Sequence, residues 1–255
     1  MNIRIFWWAV PVTIDLNSDL LQYLADRGCA QGERLPAITE LADEIGISTG
    51  KLREQLEVAR AMGLVEVRPK TGIRTLEYEF APMLQANLLF ALSLDASLFN
   101  QFGVLRNHVE AAFWYQAVEA LLPEDKEKLS RLIDQAWQKL RGQPVQIPHE
   151  EHRELHMTVF GRLDNLFVQG LLEAYWTGYE AVGLNLFADY AYLQEVWSYH
   201  EKMVQAIIDE DYESGYQALV EHTGLIQHRP EMANFQPSVE SLPQYPDQNE
   251  GVNSK

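Results

Sequence analysis

The sequence predicts a mainly α-helical chain of two parts, a small three-helix module closed by a β-hairpin and then an all-helical bundle. Three observations predict it. Helix caps and apolar spacing recur between Asn17 and Gly63, two short β-branched segments flank Pro69-Lys70-Thr71-Gly72, and only helical periodicity follows from about Ala81. With 255 residues, 47% of them hydrophobic, the chain has material for two cores.

The first helix is capped by Asn17 and Ser18, carries Leu20, Leu21, Tyr23 and Leu24, and ends near Arg27-Gly28, a glycine suited to the position after a helix. Arg34-Leu-Pro-Ala opens a second helix with Ile38, Leu41, Ala42 and Ile45 facing inward. Gly46-Ile47-Ser48 makes a tight turn. Ser48 caps a third helix in which Leu52, Leu56 and Ala59 share one face, and Gly63 ends it. The segments Leu64–Val67 and Ile73–Leu76 then read as a hairpin with a basic tip. This order of elements is that of a winged helix-turn-helix, assigned to residues 15–79.

The formal charge of −17 argues against a nucleic-acid partner when taken over the whole chain. Its distribution argues the other way. Between Ser48 and Thr75 the bases Lys51, Arg53, Arg60, Arg68, Lys70 and Arg74 outnumber the acids Glu54, Glu57 and Glu66 by three. Such a local basic face on an acidic body suits phosphate binding. A recognition helix needs short or basic residues in its first turns to enter the major groove, and Ser48, Thr49, Gly50, Lys51 and Arg53 meet that need. Arg34 is placed for a phosphate, and Lys70, Thr71, Gly72 and Arg74 form a wing that reaches backbone or minor groove. The alternative is a merely solvated basic surface on a module serving protein contacts. One short helix contacts few base pairs, so a homodimer on an inverted repeat of double-stranded DNA is expected.

Arg34-Leu-Pro-Ala-Ile-Thr-Glu-Leu-Ala, Gly46-Ile-Ser, Leu52-Arg-Glu-Gln-Leu, Gly63-Leu-Val and Gly72 together resemble the DNA-binding domain of the GntR superfamily, over roughly Leu20 to Leu76. The pattern departs at Thr49, where that family usually has an arginine. The resemblance implies a transcriptional regulator, here expected to be a repressor, and not an enzyme.

Residues 80–101 read as a linker or helix, and 102–229 as an all-helical domain. Its periodic segments run from Val104 to Leu122, Glu124 to Leu140, His149 to Gly161, Leu166 to Phe187, Tyr192 to Asp209 and Tyr212 to Gln227. Beyond Arg229, composition turns to Pro, Ser, Gln, Asn and acids, and 230–255 reads as a disordered tail. The single cysteine, Cys29, makes no case for an oxidising compartment, and no apolar run reaches membrane-spanning length. The start of the chain, with Trp7, Trp8 and no clear cleavage site, reads as a packed arm or strand. A cytoplasmic protein is expected.

All seven histidines lie at or beyond position 108, six of them in the second half. His152 and His156 are spaced i, i+4 and project from one helical face, as a shared metal requires; His149 is close enough to join them. His200 and His222 follow on later helices. The other reading is ordinary surface or core histidines. Arg106-Asn-His-Val-Glu110, then His152-Arg-Glu-Leu-His156 with Asp164-Asn165, then His200, Asp211 and His222 resemble the FCD ligand-binding domain of FadR-type GntR regulators, over roughly Phe102 to Arg229. That resemblance implies a metal held by one Asp and three His inside the bundle, with a small carboxylate effector on or beside it. Here His152 stands at the Asp position. A four-imidazole set of His152, His156, His200 and His222 is softer and less anionic, which favours zinc or nickel over magnesium or calcium.

Arg106 has the guanidinium geometry to receive an effector carboxylate, or pairs with Glu110 one turn on. The aromatics of the bundle, among them Trp114, Tyr175, Trp176, Tyr179, Phe187, Tyr192 and Trp197, serve core, dimer interface or pocket. Two further functions compete with the effector-responsive regulator. One is a metal-dependent enzyme, for which only Glu151 and Glu154 offer a neighbouring acid or base. The other is a pure metal sensor with no organic effector, a reading that turns on whether a cavity lies beside the metal.

Overall fold

In the computed structural model the described residues are 14–28, 31–70, 72–186 and 188–225. The expected N-terminal arm, apart from Ile14, and the expected tail at 230–255 lie outside them, as do Cys29, Thr71, Phe187 and His228. Packing divides the described chain into two units, residues up to 87 with 164–174, and 88–163 with those from 175 on.

The first unit holds α1 (Asp19–Arg27), α2 (Ile38–Ile45), α3 (Thr49–Ala61), β1 (Val65–Arg68) and β2 (Gly72–Thr75). Each helix starts where an orphan backbone N–H finds an acceptor. Ser18 Oγ accepts from Leu21 N–H, Ala37 N–H donates to the Glu40 carboxylate, and Ser48 Oγ accepts from Lys51 N–H. Gly46, with φ +80°, closes α2 in the left-handed conformation and makes the tight turn into α3. Strands β1 and β2 pair antiparallel, Val65 opposite Thr75 and Arg68 opposite Gly72. Residues 32–35 lie along the far side of β2: Gly32 N–H donates to Thr75 O, Thr75 N–H to Glu33 O, and Leu35 N–H to Ile73 O, each at 2.9 Å. Leu20, Leu24, Leu35, Leu41, Leu52, Leu56, Val65 and Ile73 close over one core. Truncating a fully buried leucine there, such as Leu52, costs roughly 2–5 kcal/mol.

Two further helices, α4 (Ala81–Leu94) and α8 (Leu166–Ala181), contribute residues to both units. The second unit also holds α5 (Leu98–Glu119), α6 (Pro123–Leu140), α7 (His149–Phe160), α9 (Tyr190–Ile208) and α10 (Tyr212–Leu225). Helix α10 packs on α9 and α5, and α6 packs on α7 and α9. Trp114, Trp176, Trp197, Phe99 and Phe160 are fully buried in this bundle. No helix among the described residues is long and apolar enough to cross a membrane.

The element types agree with the periodicity, and the ends move where local chemistry decides. Helix α5 begins at Leu98, six residues before the expected Val104, because Phe99 is itself a core residue. Helix α8 stops at Ala181 rather than continuing to Phe187, since Gly183 takes φ +74° and Leu184 N–H turns back to Tyr179 O. Helix α9 starts two residues early because the Asp189 carboxylate caps it, accepting from Ala191 and Tyr192 N–H.

Candidate functional site

Four elements meet at the histidines. Helix α7 supplies His152 and His156, α9 supplies His200, α10 supplies His222, and α5 brings Arg106 and Glu110 alongside. One possible ligand nitrogen from each of the four histidines lies within 4.8 Å of the others. His156 Nε2 and His200 Nε2 are 3.1 Å apart, and the ring centroids of His200 and His222 are 4.2 Å apart. Two nitrogens on one tetrahedral zinc, each about 2.0–2.1 Å from it, stand about 3.3 Å apart, so the spacing suits a shared ion.

Burial strips these imidazoles of water. His156 and His200 are fully buried, His222 nearly so, and His152 is partly exposed. Loss of hydration holds His152, His200 and His222 well below the usual imidazole pKa, with neighbouring imidazoles or Arg106 pushing further the same way. His156 is also lowered, mainly by burial; Glu110 pulls it up and Arg106 down. Neutral imidazoles keep a lone pair free for a metal. His152 Nε2, His200 Nδ1 and His222 Nδ1 are buried and have no hydrogen-bond partner among the described residues. Buried imidazoles with an unmatched nitrogen, from three helices and clustered together, fit a cation. The donor set is all nitrogen, a chemistry suited to zinc or nickel.

Arg106 is 3% exposed and committed to its neighbours. Its Nη2 lies 2.8 Å from Glu110 Oε1 and 2.8 Å from His156 Nδ1, Nη1 reaches Asn107 Oδ1 at 3.3 Å, and the guanidinium sits 4.8 Å over the Tyr175 ring. Glu110 is fully buried. Burial raises its pKa, yet Arg106 and then His156 outweigh that and keep it low, so it is a carboxylate. His149 stays outside the four: its Nε2 meets Glu180 Oε1 at 2.9 Å and its ring stacks on Tyr179. His152 borders a narrow cleft lined by Pro148, His149, Tyr179, Leu193 and Trp197, with about 10 Å³ of free space.

In the first unit, Thr49, Gly50, Lys51 and Arg53 follow the Ser48 cap on α3. The Arg53 side chain is exposed, with no hydrogen bond or ion pair among the described residues. Lys51 Nζ is held 2.8 Å from Asp19 Oδ2, and Gln55 Nε2 donates to the same oxygen at 2.8 Å. Across the hairpin, Lys70 and Gly72 take φ of +71° and +80° to turn the chain. Gly72 faces the Arg34 guanidinium, while Arg74 Nη1 donates to Gly32 O at 2.8 Å. Arg34, Gly72 and Arg74 therefore lie together along β2, and Lys70 sits at the exposed tip of the hairpin; Thr71 lies outside the described residues. The Asp19 and Gln55 contacts, and the Arg106 contact with His156, were not expected. They join residues 36 and 50 positions apart, which helical spacing does not register.

Residues 15–74 match the gntR family of bacterial regulatory proteins, and residues 102–225 match the FCD domain. Among solved structures the chain is similar to Streptococcus agalactiae GntR, with TM-score 0.61 and 18% identity over 82% of this chain and 95% of that one. It also aligns with E. coli McbR/YncC at TM-score 0.44 and 21% identity, over 83% of this chain and 98% of that one. No curated protein matches it. At 18% identity the likeness to the Streptococcus agalactiae protein speaks for fold alone.

Proposed function

Because the chain belongs to the GntR family of DNA-binding transcriptional regulators and carries an FCD effector-binding domain, we propose that it is a FadR-type repressor whose DNA affinity is set by a divalent metal and a small organic acid. The family is one of transcription regulators rather than enzymes. The single observation carrying the metal part is the convergence of His152, His156, His200 and His222 with buried, unpartnered nitrogens. Zinc or nickel is the metal this donor set favours.

On this reading residues 15–79 bind the operator and 102–229 sense the ligand. Arg53 reads bases, Ser48, Thr49 and Lys51 approach the groove, Arg34 contacts phosphate, and Lys70, Thr71, Gly72 and Arg74 form the wing contact. Two chains bind an inverted repeat. Support for a homodimer comes from apolar side chains left in water, Phe90 at 66% and Leu94 at 72% exposure, with Val104 and Leu105 on the next helix. The effector is a small carboxylate that meets the metal and Arg106.

A second reading, in which the ion itself is the signal, is favoured by the free space at His152, room for about one water molecule. One experiment separates the two. Protein purified without chelator is assayed for metal, then titrated onto its operator with and without the metal and with a series of small carboxylic acids. An acid that weakens operator binding by about 5- to 150-fold, the span of a typical allosteric coupling, supports the first reading. Metal dependence with no response to any acid supports the second, and protein holding no stoichiometric metal removes both.

A further inference from the structure

Resting on the reading of the four histidines as metal ligands, we infer that metal binding transfers His156 from Arg106 to Glu110. Glu110 then holds the liganding imidazole in position, and an Arg106 N–H is left free to receive an anionic oxygen.

His156 Nδ1 lies within reach of two partners that it cannot bond at once. A guanidinium only donates hydrogen bonds and a carboxylate only accepts them. Arg106 Nη2, 2.8 Å from His156 Nδ1, is bonded to it only when Nδ1 carries the lone pair. Glu110 Oε1, 3.2 Å from the same Nδ1, is bonded to it only when Nδ1 carries the proton. The proton of the neutral ring therefore chooses the partner. With the proton on Nε2, His156 accepts from Arg106 and donates to His200 Nε2 at 3.1 Å.

A metal at the point where the four rings meet needs the Nε2 lone pair. One proton then leaves Nε2 for solvent, one arrives at Nδ1, and the ring stays neutral. Now Nδ1–H and the Arg106 N–H face each other at 2.8 Å, which is repulsive, while Glu110 becomes the acceptor. Glu110 is equipped for this. It is fully buried, and neither of its oxygens has an aligned hydrogen bond, although Oε1 is close to both Arg106 and His156. A buried carboxylate with unmet acceptors calls for a donor, and Nδ1–H supplies it. A carboxylate behind a liganding imidazole fixes its tautomer and ring orientation. Arg106 does not drift away on release, because Tyr175 lies under its guanidinium and Asn107 Oδ1 takes Nη1. The ion thus prepares the arginine for an anion, and metal precedes carboxylate.

The test uses the full chain labelled with nitrogen-15 at histidine, stripped of metal, and then given one equivalent of zinc chloride. Long-range proton–nitrogen correlation spectra report the tautomer of each ring, with His156→Gln assigning the signal. The expected result is His156 protonated on Nε2 without zinc, and protonated on Nδ1 with Nε2 on zinc afterwards. Zinc bound through Nδ1, or Nδ1 already protonated before zinc, overturns the inference. In parallel, Glu110→Gln is expected to bind zinc about 10- to 100-fold more weakly. Its melting curve without metal is recorded to separate lost folding from lost binding. A folded variant with unchanged zinc affinity also overturns the inference. Wild-type protein that takes up no zinc overturns the metal reading itself, a result distinguishable from either of these.

Discussion

Asp19 Oδ2, in the first turn of α1, stands 2.8 Å from Lys51 Nζ in the first turn of α3 and accepts Gln55 Nε2 at the same distance. The amide of Gln55 is used on both sides, since its Oε1 accepts Leu20 N–H at 2.9 Å. Helix α3 is thereby fastened to α1, and the charge of Lys51 is already matched within the protein. Replacing Asp19 by Asn frees that charge for a phosphate. The expected outcome is tighter binding to a non-specific duplex and a steeper log–log salt dependence, by about 0.9 for one added phosphate contact. Anisotropy titrations at several salt concentrations measure it, and an unchanged slope means Lys51 already leaves Asp19 in the wild-type complex.

Arg53 is an exposed arginine of α3 whose side chain has no partner among the described residues. Arg53→Ala removes a fork able to hold two acceptors of a guanine, a contact worth about 1–3 kcal/mol in discrimination. Operator affinity should fall roughly 5- to 150-fold while the melting temperature stays put. A variant that binds the operator as well as wild type moves base reading to another residue.

His200→Ala and His222→Ala should each lose bound metal and the stabilisation it brings. An ion present at 100 times its Kd adds about 2.7 kcal/mol to the folded state. At about 2–4 °C per kcal/mol for a chain of this size, wild type should melt roughly 5–11 °C higher with zinc than without. The two variants should show no such difference. Equal zinc shifts in wild type and variants would remove both residues from the ligand set.

His152→Asp exchanges a soft neutral donor for a hard anionic one. Competition between zinc and manganese should move toward manganese in the variant, as read by elemental analysis after dialysis against both. An unchanged ratio would place position 152 outside the coordination sphere.

Gly215 of α10 lies where a Cβ would come within 2.7 Å of Trp114 Cζ2, and Trp114 is fully buried with its indole N–H on Tyr212 O. Gly215→Ala should destabilise the chain by about 1–3 kcal/mol through overpacking. Because α10 carries His222, zinc affinity should fall with it. A variant with wild-type melting temperature would show that the indole yields without cost.

The helix-turn-helix was legible in the sequence because its signals are local. Ser18 and Ser48 cap their helices, Gly46 makes the turn, and the apolar spacing of Leu52, Leu56 and Ala59 marks the buried face. The histidine set was legible for a related reason: His152 and His156 share a helix face by spacing, and His200 and His222 fall at intervals that resemble a known domain. The contacts that surround it were not. The Arg106 contact to His156 joins α5 to α7, and no periodicity within one helix encodes a meeting of two. The same holds for Asp19 with Gln55. Helix ends depart from the periodicity where a single residue decides, as with the Asp189 cap of α9 and the left-handed Gly183 after α8.

The three backbone hydrogen bonds between residues 32–35 and the outer side of β2 have a mechanical meaning. Those residues run directly into α2, so the hairpin cannot swing as a separate finger; it turns only when the helix pair turns. The distance from the α3 face to the hairpin tip is therefore set by the protein. If the α3 face and the hairpin tip both touch the operator, as proposed, a duplex whose groove spacing does not match that distance loses one contact whenever it makes the other, and the module would measure the shape of its DNA as well as its letters.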